Sequence, residues 1–546
     1  MKLRNYQTQA IDATVECLER ESSALIVAAT GTGKTVIGST IVKQFMPRGR
    51  IMWIADREEL LDQARQKLHD ITGVRPDLEM AESKAGDGWY KSPIVCSSIQ
   101  TQRSGNGVKR WHKFDPKEFS LLFIDESDLA AADSYREMIA HYQQNPNLRI
   151  VGCTATPDRA DEKALGEIFK AVSFIYDMRD ACEDGWLVCP KQKYLDVEID
   201  FAGLHYRLGD FDKGELRELL ARGETLEKIA SDSVQWSGAR RTLVFSDSVA
   251  NAERLTVEFN RHADGCARIL TGETPKDERR AIVADYRAGR FQYLVNVGVV
   301  SRGFDVPEVA CIVAARPTCS RALYAQQIGR GSRPIAECIE GIDHAADRQA
   351  AIKASSKPDL LILDLVGNSA KHKLVTVVDI LGGIYGERTR ERAEKIMLES
   401  DDPMDVEDAL EEAERLQNAE IAEEAKRRGS AQLKKKSRGT DVDPFEDYGL
   451  RRRTEFGWEV DKAVTQEQSE KLERWKIRGR DRMDFADAEQ FIAEVRRRAR
   501  DGLCTLNQER MLKRYGYSTD RMTYEAAHGI MDKLAANGWR RAKVKT

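Results

Sequence analysis

The sequence predicts an α/β protein of two tandem parallel-sheet domains, followed by a small all-α C-terminal region with two helical-hairpin repeats. Short apolar runs alternate with amphipathic stretches, and this alternation occurs twice along the first 370 residues, which is typical of strand-helix-strand units. Near the C-terminus, a helix-forming segment is repeated at a displacement of 40 residues, which indicates stacked helical hairpins. The length of 546 residues is sufficient for several domains.

The apolar runs set the predicted strands and domain boundaries. Strands are expected near residues 24–28, 50–55, 93–97, 121–124 and 149–154, and again near 241–245, 267–270, 293–297, 310–314 and 360–364. Residues 194–237 are predicted to be a joining region and 334–357 an exposed insertion. The predicted domains are 1–190 and 191–385 for the two sheets, 386–460 for a charged helical linker and 461–546 for the helical repeats.

Composition limits the class of protein. Hydrophobic residues make up 41% and charged residues 32% of the chain, and no stretch has the length of a membrane span or a secretory signal. We therefore expect a cytoplasmic protein with no membrane partner. The ten cysteines are scattered without a Cys-x2-Cys pair, which favours reduced thiols over disulfides or a zinc site.

Charge is unevenly distributed along the chain. The net charge is −4, but residues 421–546 contain 30 Lys and Arg against 22 Asp and Glu, which leaves 56 against 68 in the first 420 residues. A basic tail behind an acidic body is compatible with nucleic-acid contact, and a solvated helical surface gives the same count.

Residues 28–35 read Ala-Ala-Thr-Gly-Thr-Gly-Lys-Thr and follow the apolar run 24–27. A glycine-rich turn between a strand and a helix presents backbone N–H groups to phosphate oxygens. Lys34 can reach the β and γ phosphates, and the Thr35 hydroxyl can coordinate Mg²⁺. The candidate phosphate-binding residues are Thr30, Gly31, Thr32, Gly33, Lys34 and Thr35.

A second apolar run, residues 121–124, ends in Asp125 and Glu126. Ligand sites in open parallel sheets lie at the carboxyl ends of strands. There Asp125 can hold hydrated Mg²⁺, while Glu126 can orient and deprotonate an attacking water. Together with the glycine-rich turn, this pair predicts a nucleoside-triphosphate hydrolase.

The second predicted domain contains the segment Gln-Gln-Ile-Gly-Arg-Gly-Ser-Arg at residues 326–333. On a helical turn, Arg330 and Arg333 can face the same way. Guanidinium groups that reach the γ phosphate stabilise the charge that develops during phosphoryl transfer. The two arginines are therefore candidate arginine fingers.

These motifs, in this order, resemble those of superfamily 2 helicases of the DEAD/DEAH-box type over residues 1–370. The resemblance is to RadD-like repair helicases, phage-encoded helicases and the helicase parts of type III restriction enzymes. It implies two tandem RecA-like domains that bind ATP and Mg²⁺. Ala28 is the residue that this superfamily carries in its version of the phosphate loop, whereas Asp128 replaces the usual histidine of the DEAH box. The cysteines that hold zinc in RadD-like proteins are absent from this sequence.

The resemblance also assigns roles to residues outside the phosphate loop. It implies that Gln7, in the segment Leu-Arg-Asn-Tyr-Gln, contacts the adenine base and that Gly303 and Asp305 approach the nucleotide. It assigns Asp128, Thr154, Thr156 and Gln326 to the coupling of hydrolysis to domain movement. Candidate nucleic-acid contacts are Arg57, Gln63, Ser98, Gln100 and Thr101, although helix capping or surface solvation explains each of these five equally well.

Beyond residue 385 the chain is interpreted without that resemblance. Thr465, Gln468 and Leu472 recur as Thr505, Gln508 and Leu512. Each unit predicts two helices joined by a glycine turn at Gly479 or Gly516. Trp475 and Tyr515 are expected to pack in the core. The repeats could bind nucleic-acid phosphates through nearby basic residues. Alternatively, they could be a docking site for a replication or repair protein. The basic residues in question are Arg474, Lys476, Arg478, Lys513 and Arg514.

We therefore predict an ATP-dependent DNA helicase or translocase that acts without sequence preference on single-stranded or branched DNA. The roles left open are an RNA helicase, a double-stranded DNA translocase that does not separate strands, and a nucleic-acid-binding protein without activity.

Overall fold

The computed structural model describes residues 3–56, 58–81, 83–86, 91–105, 108–127, 130, 132–155, 165–201, 203–207, 210–299, 306–335, 337–368, 374–382, 385–429, 444–450, 452, 463–500, 502–519 and 522–536. The chain divides into two compact units, Met1–Gln417 and Asn418–Thr546.

The first sheet of the first unit has seven parallel strands in the order β3-β4-β2-β5-β6-β1-β7. The strands are β1 (Ser23–Ala28), β2 (Arg50–Ala55), β3 (Asp77–Glu79), β4 (Ile94–Ser98), β5 (Phe119–Asp125), β6 (Arg149–Thr154) and β7 (Ala171–Tyr176). Strands β1 and β5 are buried along their whole length, which explains why their sequences are apolar without alternation. The helices are α1 (Asn5–Arg20), α2 (Lys34–Phe45), α3 (Glu58–Thr72), α4 (Ile99–Arg103), α5 (Asp133–Tyr142) and α6 (Met178–Glu183).

The second sheet also has seven strands, in the order β12-β13-β11-β14-β15-β8-β16, and only β16 is antiparallel to its neighbour. The strands from here on are β8 (Pro190–Asp200), β9 (Tyr206–Arg207), β10 (Asp210–Phe211), β11 (Thr242–Phe245), β12 (Ala267–Leu270), β13 (Tyr293–Asn296), β14 (Cys311–Ala314), β15 (Leu360–Asn368) and β16 (Met404–Asp405). The helices are α7 (Lys213–Leu220), α8 (Thr225–Ser237), α9 (Val249–His262), α10 (Lys276–Arg287), α11 (Arg321–Gly329), α12 (Ala345–Ala354), α13 (Val377–Leu381), α14 (Glu387–Leu398) and α15 (Val406–Gly429). Strands β9 and β10 form a separate antiparallel pair.

Three segments differ from the expectation. The predicted joining region 194–237 includes most of β8, which is an inner strand of the second sheet. The predicted exposed insertion 334–357 is largely exposed or half-buried, but Ile339 and Ile352 pack in the core and Lys357 is 1% exposed. Residues 386–417, placed in a linker by sequence, belong to the first compact unit, where β16 pairs with β8.

The second unit contains α16 (Pro444–Tyr448), α17 (Gln466–Arg474), α18 (Phe485–Arg500), α19 (Leu506–Arg514) and α20 (Tyr524–Ala536). Thr465 and Thr505 cap α17 and α19 with the same reciprocal pattern, in which each threonine accepts from the glutamine backbone three residues later. Leu472 and Leu512 are fully buried in separate apolar clusters. The sequence repeat is therefore a structural repeat.

The cysteines and the lengths of the helices agree with an absence of disulfides and of spanning helices among the described residues. All ten cysteines are free thiols, five of them buried and five half-buried. Within the described ranges, every helix is too short or too polar to cross a lipid bilayer.

Candidate functional site

The glycine-rich turn lies between β1 and α2, at the carboxyl edge of the first sheet. Gly31 has φ +92° and Gly33 has φ +84°, backbone conformations that residues with a Cβ avoid. Gly33 is the residue immediately before α2, so the turn leads into a helix N-terminus. This is the geometry that presents backbone N–H groups to an anion.

The turn is held in place from helix α1. The carbonyl oxygen of Thr32 accepts hydrogen bonds from the Tyr6 hydroxyl at 2.5 Å and from Nε2 of Gln7 at 3.1 Å. Oε1 of Gln7 accepts from the backbone N–H of Arg4 at 3.1 Å, so both ends of this buried amide have partners. Gln7 is thus brought to the phosphate loop, and its predicted contact with a base stays a prediction.

Two carboxylates follow β5 at the same edge of the sheet. Asp125 is level with Cys153 and Val27 is level with Thr154, so the ends of β1, β5 and β6 meet. Oε1 of Glu126 lies 3.9 Å from Nζ of Lys34, and both side chains are largely buried. Glu126 has φ +50°, and its backbone N–H donates to Oδ1 of Asp125 at 3.1 Å.

Some buried polar atoms at this edge have no hydrogen-bond partner among the described residues. They are Oγ1 of Thr30, Oε2 of Glu126 and Oγ of Ser127. Buried polar groups are normally paired, so these atoms are available to a polar ligand at this edge. Thr35 is half-buried at the start of α2, and Thr154 is 1% exposed at the end of β6.

The second sheet domain contacts the phosphate loop through the segment after α11. A Cβ placed on Gly329 would lie 2.4 Å from Cβ of Thr30, and a Cβ placed on Gly31 would lie 3.3 Å from Cγ of Arg333. The carbonyl oxygen of Ser332 accepts from the N–H of Val188 at 2.7 Å. The two domains therefore meet over the glycine-rich turn, and Arg333 lies on it.

Arg330 and Arg333 do not share a helical turn. Helix α11 ends at Gly329, Arg330 is its C-cap with helical backbone angles, and the helix does not continue to Arg333. Gly331 packs so closely on Leu360 and Ile312 that a Cβ there would lie 2.5 and 3.0 Å from their Cδ1 atoms. The arginine segment therefore follows the surface of the second sheet, and α11 does not continue through it.

Lys357 forms hydrogen bonds with the backbone of this segment. Its buried Nζ donates to the carbonyl oxygens of Arg333 at 2.6 Å and of Pro307 at 2.7 Å. Sequence reasoning missed this residue, because a lysine in a polar stretch gives no indication of burial.

Sequence reasoning also missed a buried polar network that includes a residue of α11. Asp364 on β15 is buried and accepts hydrogen bonds from the Tyr324 hydroxyl and from Nε2 of Gln192 at 2.8 Å. Burial raises the pKa of the Asp364 carboxyl to about 7, although both hydrogen bonds oppose the shift. Gln326, on the same helix as Tyr324, is 5% exposed. A carboxylate inside the apolar run of β15 is the sequence signal that could have identified this network.

An aromatic cluster joins α1 to the second domain and was likewise not anticipated. Tyr6 stacks on Tyr176 with ring centroids 4.2 Å apart. The guanidinium carbons of Arg4 and Arg348 lie 4.2 and 3.9 Å from the Trp186 ring centroid. Cation–π contacts of this kind strengthen when the cation is desolvated, and Arg348 is 5% exposed.

The candidate nucleic-acid residues separate into two groups. Ser98 and Thr101 are buried, and Ser98 caps α4 by accepting from the Thr101 N–H at 3.2 Å. Gln63 and Gln100 are exposed, and Nε2 of Gln100 donates to Asp56 at 2.6 Å. Five predicted site residues lie outside the described residues: Arg57, Asp128, Thr156, Gly303 and Asp305.

Comparison with known proteins agrees with this architecture. Residues 1–159 match the family model described as "Type III restriction enzyme, res subunit", and residues 224–334 match "Helicase conserved C-terminal domain". The "Putative ATP-dependent helicase IRC3" of Saccharomyces cerevisiae is 30% identical over 348 residues, which cover 61% of this chain and 49% of that protein.

Two further relatives are more distant. The "Type I restriction enzyme EcoAI endonuclease subunit" of Escherichia coli is 24% identical over 60% of this chain and 44% of its own length. The "DNA 3'-5' helicase XPB" of Mycobacterium tuberculosis is 23% identical over 62% of this chain and 59% of its own length. The chain spans about half the length of the curated relatives that it matches. The two sheet domains thus match the res subunit of type III restriction enzymes and the helicase C-terminal domain, and the chain is similar over 61% of its length to a protein named as a putative ATP-dependent helicase.

Proposed function

We propose that this protein is an ATP-dependent DNA helicase or translocase. It hydrolyses ATP with Mg²⁺ between its two sheet domains and uses this cycle to move along or remodel DNA in repair, recombination or replication. The observation that carries the proposal is the position of Arg333 on Gly31. A residue of the second domain can act on a phosphate bound to the first only if the two domains meet at that loop.

The chemistry of the site suits a Mg²⁺-bound triphosphate. Two left-handed glycines open the loop to phosphate oxygens, and the unpartnered hydroxyl of Thr30 lies beside them. Thr35 and Asp125 would hold Mg²⁺, which supplies positive charge to phosphate oxygens when bound. Lys34 neutralises charge on the triphosphate, and the unpartnered Oε2 of Glu126 is the acceptor that can orient a water.

Arg330 and Arg333 act from the second domain. Closure over the nucleotide brings guanidinium charge to the developing negative charge of the transition state, and opening after hydrolysis lets the domains separate. Gln326 and Thr154 lie on opposite domains and transmit this change. A site completed only in the closed arrangement couples hydrolysis to domain movement, which is the basis of stepping along a strand.

DNA is proposed as the substrate because a relative is named a DNA helicase and the sequence phrase around Gly303 resembles DNA-acting helicases. Exposed Gln63 and Gln100 are proposed to contact the backbone together with Arg57. Ser98 and Thr101, which are buried in a helix cap, position that segment. Contacts of this kind do not discriminate between bases.

The decisive experiment is ATP turnover of the natural chain and of Lys34→Ala with single-stranded, duplex and forked DNA and with RNA. We expect stimulation by DNA in the natural chain and loss of turnover in Lys34→Ala. Lys43→Ala, which removes an exposed lysine from the same helix, is the matched control and should retain turnover. Release of a labelled strand from a partial duplex separates a helicase from a translocase. Stimulation by RNA alone, or turnover that survives Lys34→Ala, would refute the proposal.

A further inference from the structure

The two helical repeats of the second unit differ in the turn that joins their helices. At a displacement of 40 residues, Arg474, Lys476 and Arg478 correspond to Arg514, Gly516 and Ser518. We propose that the first turn, residues 474–478, binds the phosphate backbone of a nucleic-acid strand. The choice of a nucleic acid rests on the proposed function, whereas the binding surface itself is argued from the turn.

The first turn carries charge that is free to act on a partner. Arg474, Lys476 and Arg478 are exposed, and across the described ranges no ion pair or side-chain hydrogen bond engages any of the three. The residues around them anchor the backbone instead. The N–H of Arg478 donates to the Tyr448 hydroxyl at 3.0 Å, and the carbonyl oxygen of Trp475 accepts from Asn507 at 2.9 Å.

The second turn is neutralised within its own unit. Nη2 of Arg514 lies 3.4 Å from Oδ1 of Asp447, and Nζ of Lys513 lies 2.8 Å from Oε1 of Glu509. These basic residues therefore have structural partners. A comparison of the two turns separates charge that stabilises the fold from charge that does not.

The first turn has a lysine at the position where the second repeat has a glycine. Lys476 has φ +55°, and its counterpart Gly516 has φ +79°. The left-handed conformation favours glycine, because a Cβ there crowds the following carbonyl oxygen. The second repeat makes an equivalent turn with glycine and serine, so a lysine at this strained position opposes folding. The lysine therefore adds charge to the turn at a conformational cost.

The pattern of charge fits a polyphosphate strand. Residues 474–482 contain five Lys and Arg and a single acidic residue, Asp481, and Arg480 is paired with Glu473 at 3.3 Å. Three cations within five residues, none paired with another described residue, match a backbone that carries one charge per nucleotide. The half-buried Trp475 packs on the core of its repeat, so it supports the turn and is not needed to stack on bases.

The test compares two variants of the full chain. The first is Arg474→Gln/Lys476→Gly/Arg478→Ser, which gives the first turn the neutral residues of the second where these exist. Lys513→Gln/Arg514→Gln removes basic charge from the second turn and is the control. Binding to a labelled deoxythymidine oligonucleotide is measured without ATP, as a function of salt.

We expect the triple variant to lower the slope of log affinity against log salt by about 2, since each lost phosphate contact contributes about 0.7 for a single strand. The control should keep the slope of the natural chain, and the thermal midpoint of the triple variant should not fall, because Lys476→Gly relieves strain. A parallel series with a uridine oligonucleotide shows whether RNA shares the contact, and loss of slope on either polymer supports the proposal.

Three results would overturn it. The first is an unchanged slope in the triple variant. The second is an equal decrease of the slope in both variants, which would show that binding depends on the overall positive charge and not on the first turn. The third is a stronger loss of binding to polyglutamate than to either oligonucleotide, which would identify an acidic protein as the partner. Because no ATP is added, these outcomes are independent of whether the chain hydrolyses it.

Discussion

Nζ of Lys34 lies 3.9 Å from Oε1 of Glu126, with 9% and 10% of the two side chains exposed. The lysine proposed to neutralise the triphosphate therefore faces the proposed base. A bound triphosphate and the Glu126 carboxylate would both attract the Lys34 ammonium group, so we expect the carboxylate to compete with the phosphates for it.

The first prediction concerns this pair. Glu126→Gln keeps the shape of the side chain but removes its negative charge, so it should abolish the base and also release Lys34. We expect ATP turnover to fall by at least about 100-fold, while nucleotide affinity stays equal or rises. Turnover and equilibrium binding of a labelled ATP analogue measure the two effects. Weaker binding in Glu126→Gln would contradict the role of the carboxylate as a competitor for Lys34.

The second prediction concerns Arg333. Arg333→Ala should lower turnover by about 1,000-fold or more, the effect of removing an arginine finger, with little change in nucleotide affinity. Arg333→Lys should not restore activity, because a lysine lacks the planar donor geometry of a guanidinium group. Arg330→Ala, assayed in parallel, shows how much the second arginine contributes to turnover. Full activity in Arg333→Ala would show that the contact with Gly31 has no part in catalysis.

The third prediction separates backbone strain from crowding at the phosphate loop. Gly31→Ala and Gly73→Ala both place a Cβ at a positive φ, +92° and +76°, but only the first meets other atoms, namely Leu187 at 3.2 Å and Arg333 at 3.3 Å. Each should lose about 1–2 kcal/mol of unfolding free energy. Only Gly31→Ala should also lose ATP turnover, by more than tenfold. Equal turnover in the two variants would show that the domains do not work in the arrangement described.

The fourth prediction concerns pH. The Asp364 carboxyl has a folded-state pKa of about 7, against about 3.9 in an unfolded chain, so between these values the native state holds a proton that the unfolded state has lost. Stability should therefore decrease as pH rises through this window, with a slope on the order of 1 kcal/mol per pH unit. Asp364→Asn carries no such proton. Unfolding midpoints by circular dichroism should converge or cross as pH rises, and parallel curves would contradict the assignment.

Much of the fold could be predicted from sequence because its central strands are buried on both faces. A strand such as β5 has no solvent side, so its composition alone identifies it. The glycine-rich turn could also be predicted from sequence, since its glycines and its lysine, at fixed spacing, determine its backbone conformation and its charge. In both cases, all the residues that produce the signal lie within one short segment of the sequence.

The remainder depends on tertiary contacts that no local pattern reports. Strand β8 begins Pro-Lys-Gln-Lys and appears too polar for an inner strand, yet Lys193 donates to the carbonyl of Ser400 and lies over the Trp236 ring. Arg330 and Arg333 were expected on one helical turn, but the close packing of Gly331 on Leu360 accompanies the end of that helix. In each case the partner is distant in sequence.

The ammonium group of Lys357 links the backbone at Pro307 to the backbone at Arg333. By donating to the carbonyls of both Pro307 and Arg333, it couples the position of Pro307 to that of the arginine beside the glycine-rich turn. A nucleic-acid strand that displaced Pro307 would then draw Arg333 away from a bound nucleotide, with no direct contact between the strand and the nucleotide. Mechanical force and chemistry would then be connected through a single buried cation.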